Sequence, residues 1–168
     1  MARKVFFSFH FQRDSWRVSQ VRNSNVITSK YAENDFLDAV DWEKVANKGD
    51  SVIKKWIDDQ LHGTSVTIVL IGYETANRKY VNYEIEQSFK RGNGLLGIYI
   101  NNIQNQFKQT DHQGANPLDN WWYFTDEDFL QFNRIYFSQK FKTYDWVYNN
   151  GRENITLWIE EAAKIAGR

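Results

Sequence analysis

One stretch of the sequence, residues 64–89, constrains the fold most because its hydrophobic period changes part of the way along. Residues 65–71 include an almost unbroken apolar run rich in β-branched side chains, typical of a strand buried on both faces. After Gly72 and a polar turn, Val81, Ile85 and Phe89 recur at every fourth residue and predict one face of a helix. A buried strand followed by an amphipathic helix is typical of α/β folds.

Strand and helix patterns alternate along the rest of the chain. The predicted strands span residues 4–9, 35–40, 65–71, 95–100 and 135–137. Besides the helix that carries Val81, helical patterns predict a short helix capped by Ser15, a helix capped by Asp50 or Ser51 that ends at Gly63, and a C-terminal helix over residues 155–166. Residues 10–14, 23–34 and 101–120 are predicted loops. This alternation predicts a mostly parallel sheet of about five strands, covered on both faces, with strands 4–9 and 65–71 as central neighbours.

Composition and charge argue against several classes of site. Lysine and arginine total 21 and so do aspartate and glutamate, so no global field favours nucleic acid or an anionic membrane. The absence of cysteine excludes disulfides, thiol nucleophiles and cysteine-ligated zinc, and it suits a reducing, cytoplasmic setting. The three histidines lack metal-ligand spacing, there is no glycine-rich phosphate loop, and no apolar run reaches the roughly 20 residues of a membrane span. We therefore expect no metal, no cofactor and no membrane partner.

Candidate binding residues lie where the predicted strands end. Ligands of open α/β sheets bind outside the carboxyl ends of the strands, and His10 follows the first strand. Tyr80 and Glu84 lie on a helix stripe beside the one that faces the sheet. Glu84 is therefore either a carboxylate at the margin of a cleft or a solvated helix glutamate, and the pattern alone leaves both interpretations open.

Several sequence motifs, in this order along the chain, resemble Toll/interleukin-1 receptor (TIR) domains. VFFSFH at residues 5–10, followed by Asp14 and Arg17, resembles the opening strand of those domains. SVTIVLIG at 65–72 resembles their core strand, and RKYVNYEI at 78–85 resembles the helix motif whose glutamate is catalytic in TIR-type NAD hydrolases. Two positions depart from the pattern: Tyr80 replaces the common tryptophan, and His10 stands where many TIR domains carry arginine.

Four more motifs resemble the TIR-like family that includes the signal-producing protein of the bacterial Thoeris antiphage system. They are VRN at 21–23, NPLD at 116–119, YDWV at 144–147 and WIEEAA at 158–163. The resemblance thus extends over nearly the whole chain and implies a flavodoxin-like (TIR-like) three-layer α/β sandwich, as a single TIR-like domain over residues 1–168.

The resemblance also implies a function and a set of site residues. It implies cleavage of NAD, with NAD as substrate rather than cofactor, and a cyclic ADP-ribose-type signal that activates a separate effector protein. It implies that Glu84 is catalytic, and it extends to self-association and to a loop at 101–120 that acts as a lid. The residues expected to bind substrate are Phe9, His10, Asp14, Arg17, Gly72, Tyr73, Arg78 and Tyr80. Two alternatives stay open: a non-catalytic TIR-like interaction module, and an enzyme like nucleoside deoxyribosyltransferases, which also set a carboxylate against an anomeric carbon.

Overall fold

The secondary structure is that of an α/β protein with one main sheet and a separate hairpin. The structure, a computed structural model, describes residues 3–24, 32–33, 45–125 and 133–168. The strands are β1 (Lys4–Ser8), β2 (Ala32–Glu33), β3 (Val66–Ile71), β4 (Gly94–Tyr99), β5 (Trp122–Phe124), β6 (Arg134–Tyr136) and β7 (Thr143–Asp145). The α-helices are α1 (Phe11–Arg22), α2 (Asp50–Leu61), α3 (Lys79–Lys90), α4 (Phe137–Lys140) and α5 (Gly151–Ile165). Short 3₁₀ turns span Thr75–Asn77 and Pro117–Asn120.

The main sheet contains five parallel strands in the order β2-β1-β3-β4-β7. This is the order of the flavodoxin-like doubly wound fold, so the predicted fold class is confirmed. β1 and β3 are central neighbours, also as predicted. In the sheet, β2 lies on one side of β1, whereas β3 and the strands that follow it lie on the other side. The gap between β1 and β3 is therefore the topological switch point, where such sheets bind ligands.

Helices cover both faces of the sheet, as the alternation along β3 dictates. Val66, Ile68 and Leu70 pack in the cluster that contains α1 and α5. Val69 and Ile71 point the other way and pack in the cluster that contains α3. On that second face α2 covers β1 through a third cluster formed by Phe6, Val45, Ile53, Ile57 and Leu61. The predicted inner face of α3, which carries Val81, Ile85 and Phe89, is thus the one that packs.

The first helix begins earlier than its sequence pattern predicts. The expected loop at 10–14 is helical from Phe11 onward, and the amide of Asp14 donates to the carbonyl of His10. Trp16 is half exposed, whereas Asp14 and Arg17 are buried. The prediction of a loop was wrong because this helix turns polar side chains inward, and hydrophobic periodicity cannot detect such a face.

The strands at the two edges of the sheet differ from the predicted ones. Residues 135–137 were expected to supply the fifth strand, but β6 pairs antiparallel with β5 outside the main sheet. The fifth strand is β7, three residues long and only partly buried, so it carries no apolar run. Ala32–Glu33, inside a predicted loop, forms β2, while the strand predicted at 35–40 lies outside the described residues. No helix within the described ranges has the length and apolarity needed to span a bilayer.

Candidate functional site

A pocket of about 280 Å³ opens at the switch point, between the end of β1 and the first turns of α3. Its lining residues come from the segment between the end of β1 and the first turn of α1, and from α3 with the residue that precedes it. They include Phe9, His10 and Phe11 from the first segment and Arg78, Tyr80 and Glu84 from the second. The structure therefore brings five of the nine sequence-predicted site residues into one pocket. Segments 70 residues apart meet here because β1 and β3 are neighbours in the sheet.

Glu84 lies in the wall of this pocket, almost fully buried. Its side chain is 6% exposed, so the interpretation as a solvated helix glutamate is wrong. The hydroxyl of Ser8, the last residue of β1, donates a hydrogen bond to Glu84 Oε2. Burial raises the pKa of Glu84 to about 8, and the Ser8 bond opposes part of that rise. Burial therefore favours the neutral acid, whereas a cation bound beside the carboxyl favours its ionised form.

Carboxylates from neighbouring segments form hydrogen bonds and ion pairs with the residues of the outer pocket wall. Arg78 Nη2 donates to Glu74 Oε2 at 2.6 Å. Asp50, the first residue of α2, accepts a hydrogen bond from the Tyr80 hydroxyl at 3.1 Å and lies 2.5 Å from Lys79 Nζ. These contacts fix the start of α3 against α2, so the cationic and aromatic side chains at the pocket mouth have defined positions.

His10 presents a neutral imidazole to the pocket. It is 9% exposed, and its Nδ1 has no hydrogen-bond partner among the described residues. That nitrogen lies 3.7 Å from Glu74 Oε2. Burial lowers the pKa of His10, and Arg78 lowers it further, whereas Glu74 opposes them. Because Nδ1 is buried beside Glu74, the ring nitrogen that is left for a polar ligand in the pocket is Nε2.

Asp14 and Gly72 lie next to each other but outside the pocket lining. Asp14 is 1% exposed, and its carboxylate fills the space that a Cβ at Gly72 would need. Arg17 Nη1 lies 3.8 Å from Asp14 Oδ1. Burial raises the pKa of Asp14 to about 6, with Arg17 as the largest opposing influence. Only glycine at position 72 permits this close approach of α1 to the end of β3.

Arg17 and Tyr73, the other two predicted binding residues outside the pocket, contact the loop at 101–116. Arg17 donates from Nε to the Ile103 carbonyl at 2.8 Å and from Nη2 to the Gln109 carbonyl at 3.1 Å. The Tyr73 ring lies 5.9 Å from that of His112. This loop, predicted as a lid, is bonded to α1 and contributes no residue to the pocket lining.

Sequence reasoning assigned no role in the site to Ser8 or to five of the lining residues, which are Phe7, Phe11, Gln12, Lys79 and Val81. Ser8 was quoted as part of the opening motif, but no role was assigned to it. Its signal was present, because it is a polar side chain inside the otherwise apolar run VFFSF. Lys79 lines the pocket, but its place in the sequence does not indicate a role in the site, since a lysine in the first turn of a helix is ordinarily solvated.

The pocket combines aromatic walls, cations at its mouth and a buried carboxyl. In the part of the chain that the structure describes, no three histidine, aspartate or glutamate side chains gather as metal ligands would. Such a site suits an organic ligand with a flat ring, an anionic portion near Arg78 and Lys79, and an atom near Glu84 that gains positive charge during reaction.

Two comparisons with known proteins give matches that cover the pocket. A family model described as "Thoeris protein ThsB, TIR-like domain" matches residues 6–105, which include the whole pocket lining. A protein of Bacillus cereus (strain MSX-D12), named "Putative cyclic ADP-D-ribose synthase ThsB1", is 31% identical to this chain over an alignment of 191 residues. That alignment covers 95% of this chain and 100% of the relative.

Proposed function

Because the chain belongs to the TIR-like family of the Thoeris protein ThsB, we propose that it cleaves NAD and makes a cyclic ADP-ribose-type signal. The observation that carries this proposal is the position of Glu84. Its carboxyl is buried in the wall of an aromatic pocket at the switch point of the sheet, and it forms no ion pair with any described cation. A carboxyl kept in a low-dielectric pocket without a counter-ion is available to a cation that forms in the ligand.

The chemistry follows from the bond that breaks. The bond between the nicotinamide nitrogen and the ribose anomeric carbon cleaves with both electrons going to nitrogen, so nicotinamide leaves as a neutral ring. No general acid is needed. Positive charge develops on the ribose, as in the oxocarbenium-like states of glycoside cleavage. Ionised Glu84 stabilises that charge, a contribution of roughly 3–4 kcal/mol for one preorganised group.

The lining residues suit the parts of this substrate. Phe9 and Tyr80 offer aromatic faces to the nicotinamide ring, and His10 offers a ring nitrogen to its amide or to the ribose hydroxyls. Arg78 is a cation in the pocket lining, which suits contact with the pyrophosphate. The volume suits the nicotinamide ribose half rather than the whole dinucleotide, so the ADP half extends past the mouth. A second copy of the chain that packs there through self-association could contact it.

The four predicted binding residues outside the pocket act indirectly in this proposal. Asp14 and Gly72 set the distance between α1 and the end of β3, and Arg17 and Tyr73 hold the loop at 101–116. Together they keep the turn after β1 in place against α3. That turn carries His10, so substrate contact depends on it.

The fate of the ribosyl cation determines the product. Attack by water gives ADP-ribose, whereas attack by a hydroxyl or ring nitrogen of the same molecule gives a cyclic isomer, favoured where water is excluded. We propose the cyclic product, which then activates a separate effector protein in antiphage defence.

The cysteine-free composition supports a cytoplasmic setting. NAD serves as substrate, and no resident cofactor is needed.

We further propose that residues 1–168 form a single TIR-like domain. One hydrophobic cluster supports this, because it contains residues of β1, β3 and β4 together with α1 and α5. Elements from the beginning, middle and end of the described chain thus share one core, as expected of a domain of this length.

The purified protein should be incubated with NAD in one reaction and with deoxynucleosides plus a free base in another. We expect release of nicotinamide and a product with the mass of NAD minus nicotinamide, and no base exchange. Base exchange without NAD cleavage would assign the deoxyribosyltransferase-like alternative. An inert protein in both reactions would favour the interaction module, an alternative that an ion pair at Glu84 would have supported; Glu84 forms no ion pair with a described cation.

A further inference from the structure

The carboxyl of Glu84 is held by a single hydrogen bond that crosses from α3 to the sheet. Ser8 is fully buried at the end of β1, and its hydroxyl donates to Glu84 Oε2. Among the described residues no second hydrogen bond to this carboxyl is recorded, and the Glu84 side chain lines the pocket. A glutamate side chain with three rotatable bonds has many rotamers, and a single fixed donor selects among them.

We propose that Ser8 is a positioning residue for the reaction: its hydroxyl fixes Glu84 Oε2 so that the carboxyl faces the pocket, and it stabilises the ionised form that the reaction requires. This inference rests on the proposed function. Ser8 itself is fully buried and touches the substrate only through Glu84. A hydrogen bond donated to a carboxylate favours its ionised form, which opposes the effect of burial.

Other titratable groups lie in the pocket lining, on α3 and on the neighbouring helix α2. They are His10 after β1, Arg78 before α3, Lys79, Tyr80 and Tyr83 on α3, and Asp50, Lys54 and Asp58 on α2. Burial and the Ser8 bond are the two influences on the pKa of Glu84, and no charged group of this set contributes. Loss of the Ser8 hydroxyl should therefore appear directly in the titration of Glu84.

The test is the pH dependence of NAD cleavage by Ser8→Ala, from pH 6 to pH 10. We expect the acidic limb of kcat/KM to move by about one pH unit towards alkaline pH, since one donor to the carboxylate is lost. At pH 7.5 kcat/KM should fall by about 10-fold, with most of the loss recovered near pH 9.5, where Glu84 ionises without help. A rate lowered equally at every pH, with the limb in its wild-type place, would overturn the proposal.

The matched control is Ser88→Ala, one helical turn further along α3. Its hydroxyl is equally buried and bonds Thr67 Oγ1 at 2.7 Å and the main-chain carbonyl of Glu84 at 2.6 Å, so it leaves the carboxyl alone. This variant should lose comparable stability and keep the wild-type limb. If Ser8→Ala does not fold, Ser8→Cys replaces it, because cysteine has a similar volume and is a weaker hydrogen-bond donor. The acidic limb of kcat/KM for Ser8→Cys should then lie at higher pH than that of the wild type. An acidic limb at the wild-type pH would contradict the proposal.

Glu84→Gln distinguishes failure of the role proposed for Glu84 from failure of the role proposed for Ser8. If this variant cleaves NAD at the wild-type rate, the role proposed for Glu84 in that function fails, and the Ser8 inference fails with it. If Glu84→Gln is inactive while the limb of Ser8→Ala does not move, only the Ser8 inference is lost. Infrared detection of the protonated carboxyl band between pH 7 and pH 9, with Glu84→Gln as the blank, gives the same titration without substrate. The band should persist to higher pH in Ser8→Ala.

Discussion

At the scale of single residues, Glu84 meets opposite demands from folding and from the proposed chemistry. The fold buries its side chain, which favours the neutral acid, whereas stabilisation of a ribosyl cation requires the carboxylate. The Ser8 hydroxyl and a bound cationic nicotinamide both favour ionisation. Burial alone thus favours the neutral acid and a bound cationic substrate favours the carboxylate, which limits the cost of keeping a charge buried.

This conflict predicts how stability depends on pH. Because the folded pKa of Glu84, about 8, lies above its unfolded value near 4.5, the folded state holds the extra proton between those values. The stability that Glu84 contributes is full below about pH 4.5 and is lost as pH rises towards 8. Glu84→Gln has no such titration. Its free energy of unfolding should therefore improve relative to wild type by roughly 1–3 kcal/mol between pH 5.5 and pH 8.5.

Urea unfolding of both proteins at the two pH values measures this difference. Other titrating groups, such as Asp14 with its pKa raised to about 6, act in both proteins and cancel in the comparison. Parallel stability curves for wild type and Glu84→Gln would mean that Glu84 ionises normally in the fold.

At the scale of secondary structure, the sequence predicts the elements whose stability comes from apolar burial. β3, β4, α2, α3 and α5 lie within a few residues of their predicted bounds, since their buried stripes are apolar. The elements that could not be predicted are built differently. β2 and β7 have two and three residues and exist through pairing with longer strands, and α1 turns Asp14 and Arg17 inward. Such features depend on tertiary contacts that no local pattern encodes.

The buried Arg17 makes a specific prediction about an element. It donates two charge-assisted hydrogen bonds to main-chain carbonyls of the loop at 101–116, each worth roughly 1.5–3 kcal/mol. Arg17→Ala should thus destabilise the protein by roughly 3 kcal/mol or more and speed amide hydrogen exchange throughout that loop.

Arg13→Ala is the matched control for Arg17. Arg13 lies on the same helix and pairs with Asp111 at 2.9 Å, but its side chain is 36% exposed. Its loss should cost no more than about 1 kcal/mol. Equal effects of the two variants on exchange in the loop would contradict the role assigned to Arg17.

At the scale of the whole molecule, strand order creates the site. β1 and β3 are adjacent although some 60 residues separate them, and this brings the turn that carries His10 beside the helix that carries Glu84. The general location could be predicted from the sequence, because ligands of such sheets bind at the carboxyl ends of strands. Which residues face the pocket could not: Asp14 and Arg17 share the opening motif with His10, yet the helical twist of α1 turns them towards Gly72 and the loop.

The most direct test of this account is the turnover of NAD by Glu84→Gln at pH 8.5, where much of the wild-type carboxyl is ionised. Glutamine keeps the size and can still accept the Ser8 hydrogen bond, so the variant should fold. We predict that kcat falls by about 100-fold or more, while KM changes little because the charge interaction belongs to the transition state. A folded Glu84→Gln protein that makes the same product at the wild-type rate would contradict the account.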